Sequence, residues 1–335
     1  MQGTAKPKKR YFQRLRRWIG FDHYLKKFKR WWKEKRRKII CKALGFESDD
    51  LQETMNHISY NLLYEMTDVI QNNRQLLVPK VASIEETLEE LLNTERSLAR
   101  FGDGEIGMMF SDFQVGYQRH DALLIERLKE VLGSRDPNLM IGLINVFGAF
   151  GPNSGKFREW VGKFRDHINP FLDANMQYYS ASVWAIMDNA AQHFRKIKKI
   201  WEGKNVVTIE GNMCRLGVGN DLFDNVASLR RILGPAECAF SAYDRILAEA
   251  LKVEKDALIL IALGPTATVL AYDLCKAGYR ALDAGHVDIN YERFSCGEGM
   301  GFAIKGKYVN DASYRSPPPC TDPVYLSQII VEVKL

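Results

Sequence analysis

Residues 257–263 form an unbroken apolar run, Ala-Leu-Ile-Leu-Ile-Ala-Leu, closed by Gly264-Pro265. A strand that is apolar at every position must be covered on both faces. Helices packed on a parallel sheet provide that cover, whereas a half-solvated antiparallel sheet does not. The rest of the chain agrees with this demand. Apolar residues at helical spacing in 122–132, 190–201, 239–251 and 267–277 alternate with short apolar runs at 97–99, 139–144, 177–183, 205–210, 230–233 and 280–283. Each spaced segment reads as a helix and each short run as a strand. The expected class is α/β, a mostly parallel, Rossmann-like sheet with helices on both faces. Ser83 and Glu86 have capping-box spacing and start a helix that leads into 97–99. Residues 145–175, rich in Gly and Phe, read as an irregular loop or lid with a short helix. Residues 328–333 read as a last strand at a sheet edge.

The chain has 335 residues, 47 of them Lys or Arg against 41 Asp or Glu, for a net charge of +6. That total hides an asymmetry. Residues 1–42 hold 17 Lys/Arg and 2 Asp/Glu, a net of +15, which leaves the remainder at −9. Phe12, Trp18, Phe21, Phe28, Trp31 and Trp32 are interleaved with those charges, several at three- and four-residue spacing. Three readings fit: an interfacial helix on an anionic membrane, a nucleic-acid arm, or a solvated basic tail. Solvated tails are poor in aromatics, which puts the membrane surface first and nucleic acid behind it. Residues 47–77 carry Leu51, Met55, Ile58, Leu62, Met66, Val69 and Ile70 at helical spacing, too short a stretch for a coiled coil. They fit a segment that packs on the body or pairs two protomers into a homo-oligomer. The division expected is an arm at 1–42, a helical linker or oligomerisation segment at 43–80, and a catalytic domain at 81–335. The six cysteines form no Cys-x-x-Cys pair, and no apolar run reaches transmembrane length. Both facts point to a reducing, cytoplasmic setting.

Four motifs carry chemistry, each following a predicted strand, where open α/β sheets bind ligands. The first is Arg100-Phe-Gly102-Asp103-Gly-Glu105. Alternate residues of an extended segment point the same way, so Asp103 and Glu105 can face one divalent cation, Mn²⁺ or Mg²⁺; a solvated turn is the ordinary alternative. The second runs from Glu210 to Asp221. Gly211, Gly217, Gly219 and Asn220 suit a backbone cradle for phosphates, with Arg215 as charge partner, but the spacing is neither a Rossmann fingerprint nor a Walker loop. The third, Gly264-Pro265-Thr266-Ala-Thr268, opens a helix and offers free N–H groups to an anion or simply caps the helix. The fourth is Gly285 to Glu292. Its His286, Asp288, Asn290 and Glu292 alternate with Val287, Ile289 and Tyr291, so an extended segment presents four polar groups on one face, fit for metal ligation or general-base work.

Together these motifs resemble the GT-D-type glycosyltransferases, first described as a domain of unknown function and able to transfer a sugar from a nucleotide donor. The resemblance covers about residues 83–311, and includes the stretches 215–223 and 263–274. It implies that Asp103 and Glu105 serve the metal and the nucleotide diphosphate. It also implies that His286 and Glu292 lie close to the donor phosphates and the reacting carbon. Asn290 and Arg293 depart from the family's usual Glu and Trp, and Ser182-Val183-Trp184 lacks the arginine of a family Ser-Arg-Pro stretch. The resulting expectation is a metal-dependent transferase at the cytoplasmic face of a membrane. Its donor is a UDP-sugar bound by Arg100, Gly102, the 211–220 loop and 264–268. Its acceptor is a glycan or lipid-linked glycan, with Glu292 or Asp288 as base and His286 orienting or ligating. The alternative is a membrane-docked partner protein that binds the nucleotide sugar without turning it over.

Overall fold

The structure is a computed structural model that describes Trp32 and residues 79–112, 115–144, 167–187 and 189–335. The chain divides into two units, Leu77–Val146 with Phe150–Leu335, and Met1–Leu76 with Phe147–Ala149; apart from Trp32, the described residues belong to the first. The expected arm helix, the 47–77 helix and most of the 145–175 loop therefore lie outside the described residues.

Nine strands form one sheet, every pair parallel: β1 (Lys80–Val81), β2 (Ser97–Phe101), β3 (Leu139–Leu143), β4 (Gln177–Ser180), β5 (Asn205–Gly211), β6 (Ser228–Gly234), β7 (Leu258–Ala262), β8 (Arg280–Asp283) and β9 (Ile329–Glu332). Their order across the sheet is β1-β4-β3-β2-β8-β7-β5-β6-β9, which places the last strand at an edge as expected. Among the described residues from 79 onward, eight α-helices accompany them: α1 (Ile84–Asn93), α2 (Asp103–Phe110), α3 (Ala122–Leu132), α4 (Ala190–Lys199), α5 (Tyr243–Ala250), α6 (Pro265–Lys276), α7 (Val287–Cys296) and α8 (Pro323–Gln328).

The apolar run at 257–263 contains β7, and both faces of that strand are buried. Ile259 and Ile261 enter the core shared with α3, α5 and α6, while Leu258 and Leu260 enter the opposite core with α1, α4 and α7. β2 divides in the same way, with Ala99 and Phe101 on one face and Leu98 on the other. Each fully buried Leu, Ile or Phe contributes about 1.5–3 kcal/mol, so two cores on one sheet supply most of the driving force. The capping box is present: Glu86 N–H donates to Ser83 Oγ (3.1 Å) and Ser83 N–H to Glu86 Oε2 (2.7 Å). Two expectations are corrected. The Asp103 and Asp288 motifs are not extended; they open α2 and α7.

Candidate active site

The chain leaves β2 toward β3 but reaches β8 from β7, so the loops beyond these neighbouring strands part and open a crevice at their carboxyl ends. A cavity of about 460 Å³ fills it. The motifs at 100–105, 264 and 285–290 meet on its walls, joined by Tyr117, Trp184 and Asp283.

Arg100 holds this crevice together. Its Nε donates to the Asp283 carbonyl (2.9 Å), Nη1 to the Ala181 carbonyl (2.8 Å) and Nη2 to Asp283 Oδ1 (3.0 Å). Trp184 Nε1 donates to the same Asp283 carbonyl at 2.8 Å. The guanidinium therefore ties β2, β8 and the turn after β4 together. It lies on the cavity wall, but all three of its nitrogens are engaged by the protein. Gly285 allows this approach: its φ is +46°, and a Cβ there would sit 1.9 Å from Arg100 Nη2.

Asp103 and Glu105 occupy the first turn of α2. Glu105 Oε2 accepts from the Gly102 N–H (2.8 Å), the return half of a capping box, and Asp103 Oδ1 accepts from the Gly104 N–H (3.0 Å). Gly102 is thus a cap whose N–H is already taken. Burial and the nearby Asp283 carboxylate push the Glu105 carboxyl up to about 7. Burial also raises Asp283, against the opposing pull of Arg100. Three carboxylates crowd one end of the sheet with a single guanidinium among them. Hard oxygen ligands under mutual repulsion are the donor set a divalent cation relieves, so Asp103 and Glu105 fit that group.

Tyr117, which sequence reasoning missed, faces these acids. Its ring lies where a Gly264 Cβ would be, 2.3 Å from Cε2, and Gly264 has φ +57°. Burial and the carboxylates of Glu105, Asp103 and Asp283 raise the phenol far above its ordinary range, so it remains a hydrogen-bond donor. Of the third motif only Gly264 lines the cavity. Thr268 is buried and donates to the Arg100 carbonyl (2.9 Å). The Thr266 hydroxyl is buried with no partner among the described residues. Thr268 thus braces α6 against β2, and neither threonine lines the cavity.

Arg215 also departs from expectation. It is buried with φ +56°, and its guanidinium donates to the carbonyls of Gly306 and Pro318 (the latter at 2.6 Å), away from the cavity. It ties the glycine loop to the C-terminal segment. Glu210 does similar work: buried and paired with Arg231 (2.5 Å), it accepts from the Leu216 N–H at 2.7 Å. Gly211 is pressed against Ala236 and Cys214, Gly217 (φ +72°) against the Phe223 ring, and Gly219 (φ +83°) is open. Burial pushes the Cys214 thiol up to about 12, which makes it a poor nucleophile despite its place on the wall.

On α7, Asp288 and Glu292 stand four residues apart on one helical face, and both meet Lys307. Lys307 Nζ donates to Asp288 Oδ2 (2.7 Å) and Glu292 Oε1 (2.9 Å). Asn220 Nδ2 donates to Asp288 Oδ1 and Glu292 Oε1, both at 2.8 Å, and the Gly217 N–H donates to Asp288 Oδ1 at 2.9 Å. Asp288 lines the cavity; Glu292 lies behind it. Asn290 Nδ2 donates to the Trp184 carbonyl at 3.0 Å. His286, at the head of α7, keeps an open edge to solvent. The surrounding wall atoms hold its imidazole below the usual pKa, with Asp311 opposing. Neither Tyr117 nor Lys307 carries a sequence signal, since each is a lone residue in a loop. Asp283 was legible only as a strand end.

The fold and crevice define an α/β enzyme with an acidic site at the sheet's switch point. The chain belongs to the GT-D-fold glycosyltransferases: the model for the glycosyltransferase GT-D fold matches residues 98–312. It is 32% identical over 299 residues to the glycosyltransferase GlyD of Streptococcus pneumoniae serotype 4, and 34% identical over 269 residues to a probable glycosyl transferase, Gly, of Streptococcus gordonii. These alignments take in 85% and 76% of this chain but 35% and 39% of the relatives, so the chain spans little more than a third of their length. A solved structure described as a new glycosyltransferase (DUF1792) from Streptococcus sanguinis superposes with a TM-score of 0.69 at 32% identity, covering 76% of this chain and all of that one. Another, described as a domain of unknown function 1792 with a distinct glycosyltransferase fold, gives 0.70 at 30% identity, covering 76% of this chain and 95% of that one.

Proposed function

We propose that this chain transfers a sugar from a nucleotide-diphosphate donor, a UDP-sugar, to a glycan or lipid-linked glycan at the inner face of a membrane, with Mn²⁺ or Mg²⁺. The observation that carries this reading is the crowding of Asp103, Glu105 and Asp283 around the switch-point crevice, a negative pocket whose charge a divalent cation would offset, so that a diphosphate could approach. Asp103 and Glu105 would hold the cation, which, when bound, offsets charge on the departing diphosphate. Tyr117 would donate its phenolic hydrogen bond to the donor, and Gly264 leaves room for it. His286, neutral and open to solvent, would take the proton of the acceptor hydroxyl, with Asp288 on the wall beside it. Arg100 would keep the crevice in shape. The basic aromatic arm at 1–42 supports the membrane location by its chemistry alone.

The test is a thermal-shift screen of nucleotide sugars with and without Mn²⁺, followed by transfer from a radiolabelled donor. Expected are a metal-dependent rise in melting temperature with UDP-sugars and labelled product. A rise without product would leave the binding-only alternative standing, and no rise with any nucleotide sugar would overturn the donor assignment.

A further inference from the structure

Lys307 is a buried ammonium, 3% exposed, carried on the loop between α7 and the short turn at Asn310–Ala312. It stands between two acids of one helix face, Asp288 and Glu292, and reaches both. Asn220 bridges the same two acids from the glycine loop, and the Gly217 N–H closes on Asp288. Five groups from three chain segments thus form one closed lock. A buried lysine without counter-charges is costly, and so is a buried pair of acids without a cation, so each half requires the other. Asp288 reaches the cavity, and His286 sits two residues before it. The position of the reacting face therefore depends on a lysine that does not itself line the cavity.

We propose that Lys307 is a positioning residue of the transfer reaction: by pinning Asp288 and Glu292 it fixes the head of α7 against the glycine loop. The proposal rests on the transfer reading above. It also makes Glu292 a part of the lock, acting through Lys307 and Asn220, and not a free base.

The test compares the full chain with Lys307→Gln, Lys307→Met and Lys307→Arg. For Lys307→Gln we expect a folded protein in which turnover falls about tenfold to a hundredfold while the donor KM stays within threefold, the pattern of a misplaced reacting group. Lys307→Arg, which keeps the cation, should recover most of that loss. Amide hydrogen exchange at Gly217 reads the lock without any turnover, and exchange at least tenfold faster is expected in Lys307→Gln. If the intact chain turns over no donor, the transfer reading fails, and unchanged exchange at Gly217 then decides separately against the lock. Three further results overturn the proposal. In the first, turnover in Lys307→Gln or Lys307→Met stays within twofold of the intact chain. In the second, the donor KM rises in step with the loss of turnover. In the third, all three variants fail to fold, which makes the lysine purely structural.

Discussion

Glu105 is where a single group gives the clearest pH signature. Its carboxyl is raised from 4.5 to about 7. A raised carboxyl favours the fold below its unfolded value of about 4.5, and that contribution is lost as pH rises through about 7. A cation held by Asp103 and Glu105, as proposed, would have the opposite dependence, because it must displace the proton. Without metal, the Glu105 contribution to melting temperature should therefore decline between pH 5 and 8, while the increment added by Mn²⁺ grows over the same window. Melting scans at pH 6 and pH 8, with and without Mn²⁺, check both signs. Glu105→Gln should remove the pH dependence of the increment, and Asp103→Asn should remove most of the increment at any pH. Arg215 yields a different forecast from the one its sequence setting suggested. With its guanidinium spent on two carbonyls, Arg215→Ala should cost about 1.5–3 kcal/mol of stability and leave nucleotide affinity within twofold, measured by denaturant melts and calorimetry.

Among the elements, the strands were the most legible and the loops beyond them the least. β7 could be read because a strand buried on both faces has no polar position to confuse the pattern, whereas β8 carries Arg280 and Asp283 at its two ends and was placed by the helix before it. The start of α7 was misread for a physical reason: four polar residues alternating with apolar ones satisfy a two-residue period over that short length, and only the i to i+4 meeting of Asp288 and Glu292 at Lys307 reveals the helix; at α2 the two acids on either side of Gly104 fit the same period. Beyond the edge position of the last strand, the order of strands was not legible, since it depends on pairings between distant segments. Two element-level changes test the joints. Gly285→Ala places a Cβ against Arg100 in a left-handed conformation. It should lower stability by about 1–3 kcal/mol and abolish transfer, read by melting and turnover of the same preparation. Arg231→Met strips the cation from a Glu210 that is fully buried at the end of β5, and should cost about 3–5 kcal/mol in a denaturant titration.

For the whole molecule, the arm and the body should separate. Deleting residues 1–42 removes a net +15 and none of the crevice residues. Transfer to a soluble acceptor should survive, while sedimentation with anionic vesicles should be lost. A truncated chain that still pellets as the intact one does would remove the arm from the membrane reading. The body has a temporal property of its own. Arg100 and the Asp283 carboxylate that it grips are 183 positions apart. At a synthesis rate of 5–20 residues per second, a ribosome needs roughly 10–40 s to supply the second after the first. Once β3 has followed, β2 has that strand on one side and a bare edge on the other until β8 arrives, the condition in which strands recruit foreign partners. The crevice is thus among the last features of the nascent body to come into being, and the growing chain has the most need of a chaperone just before its final sixth, which begins with β8, emerges.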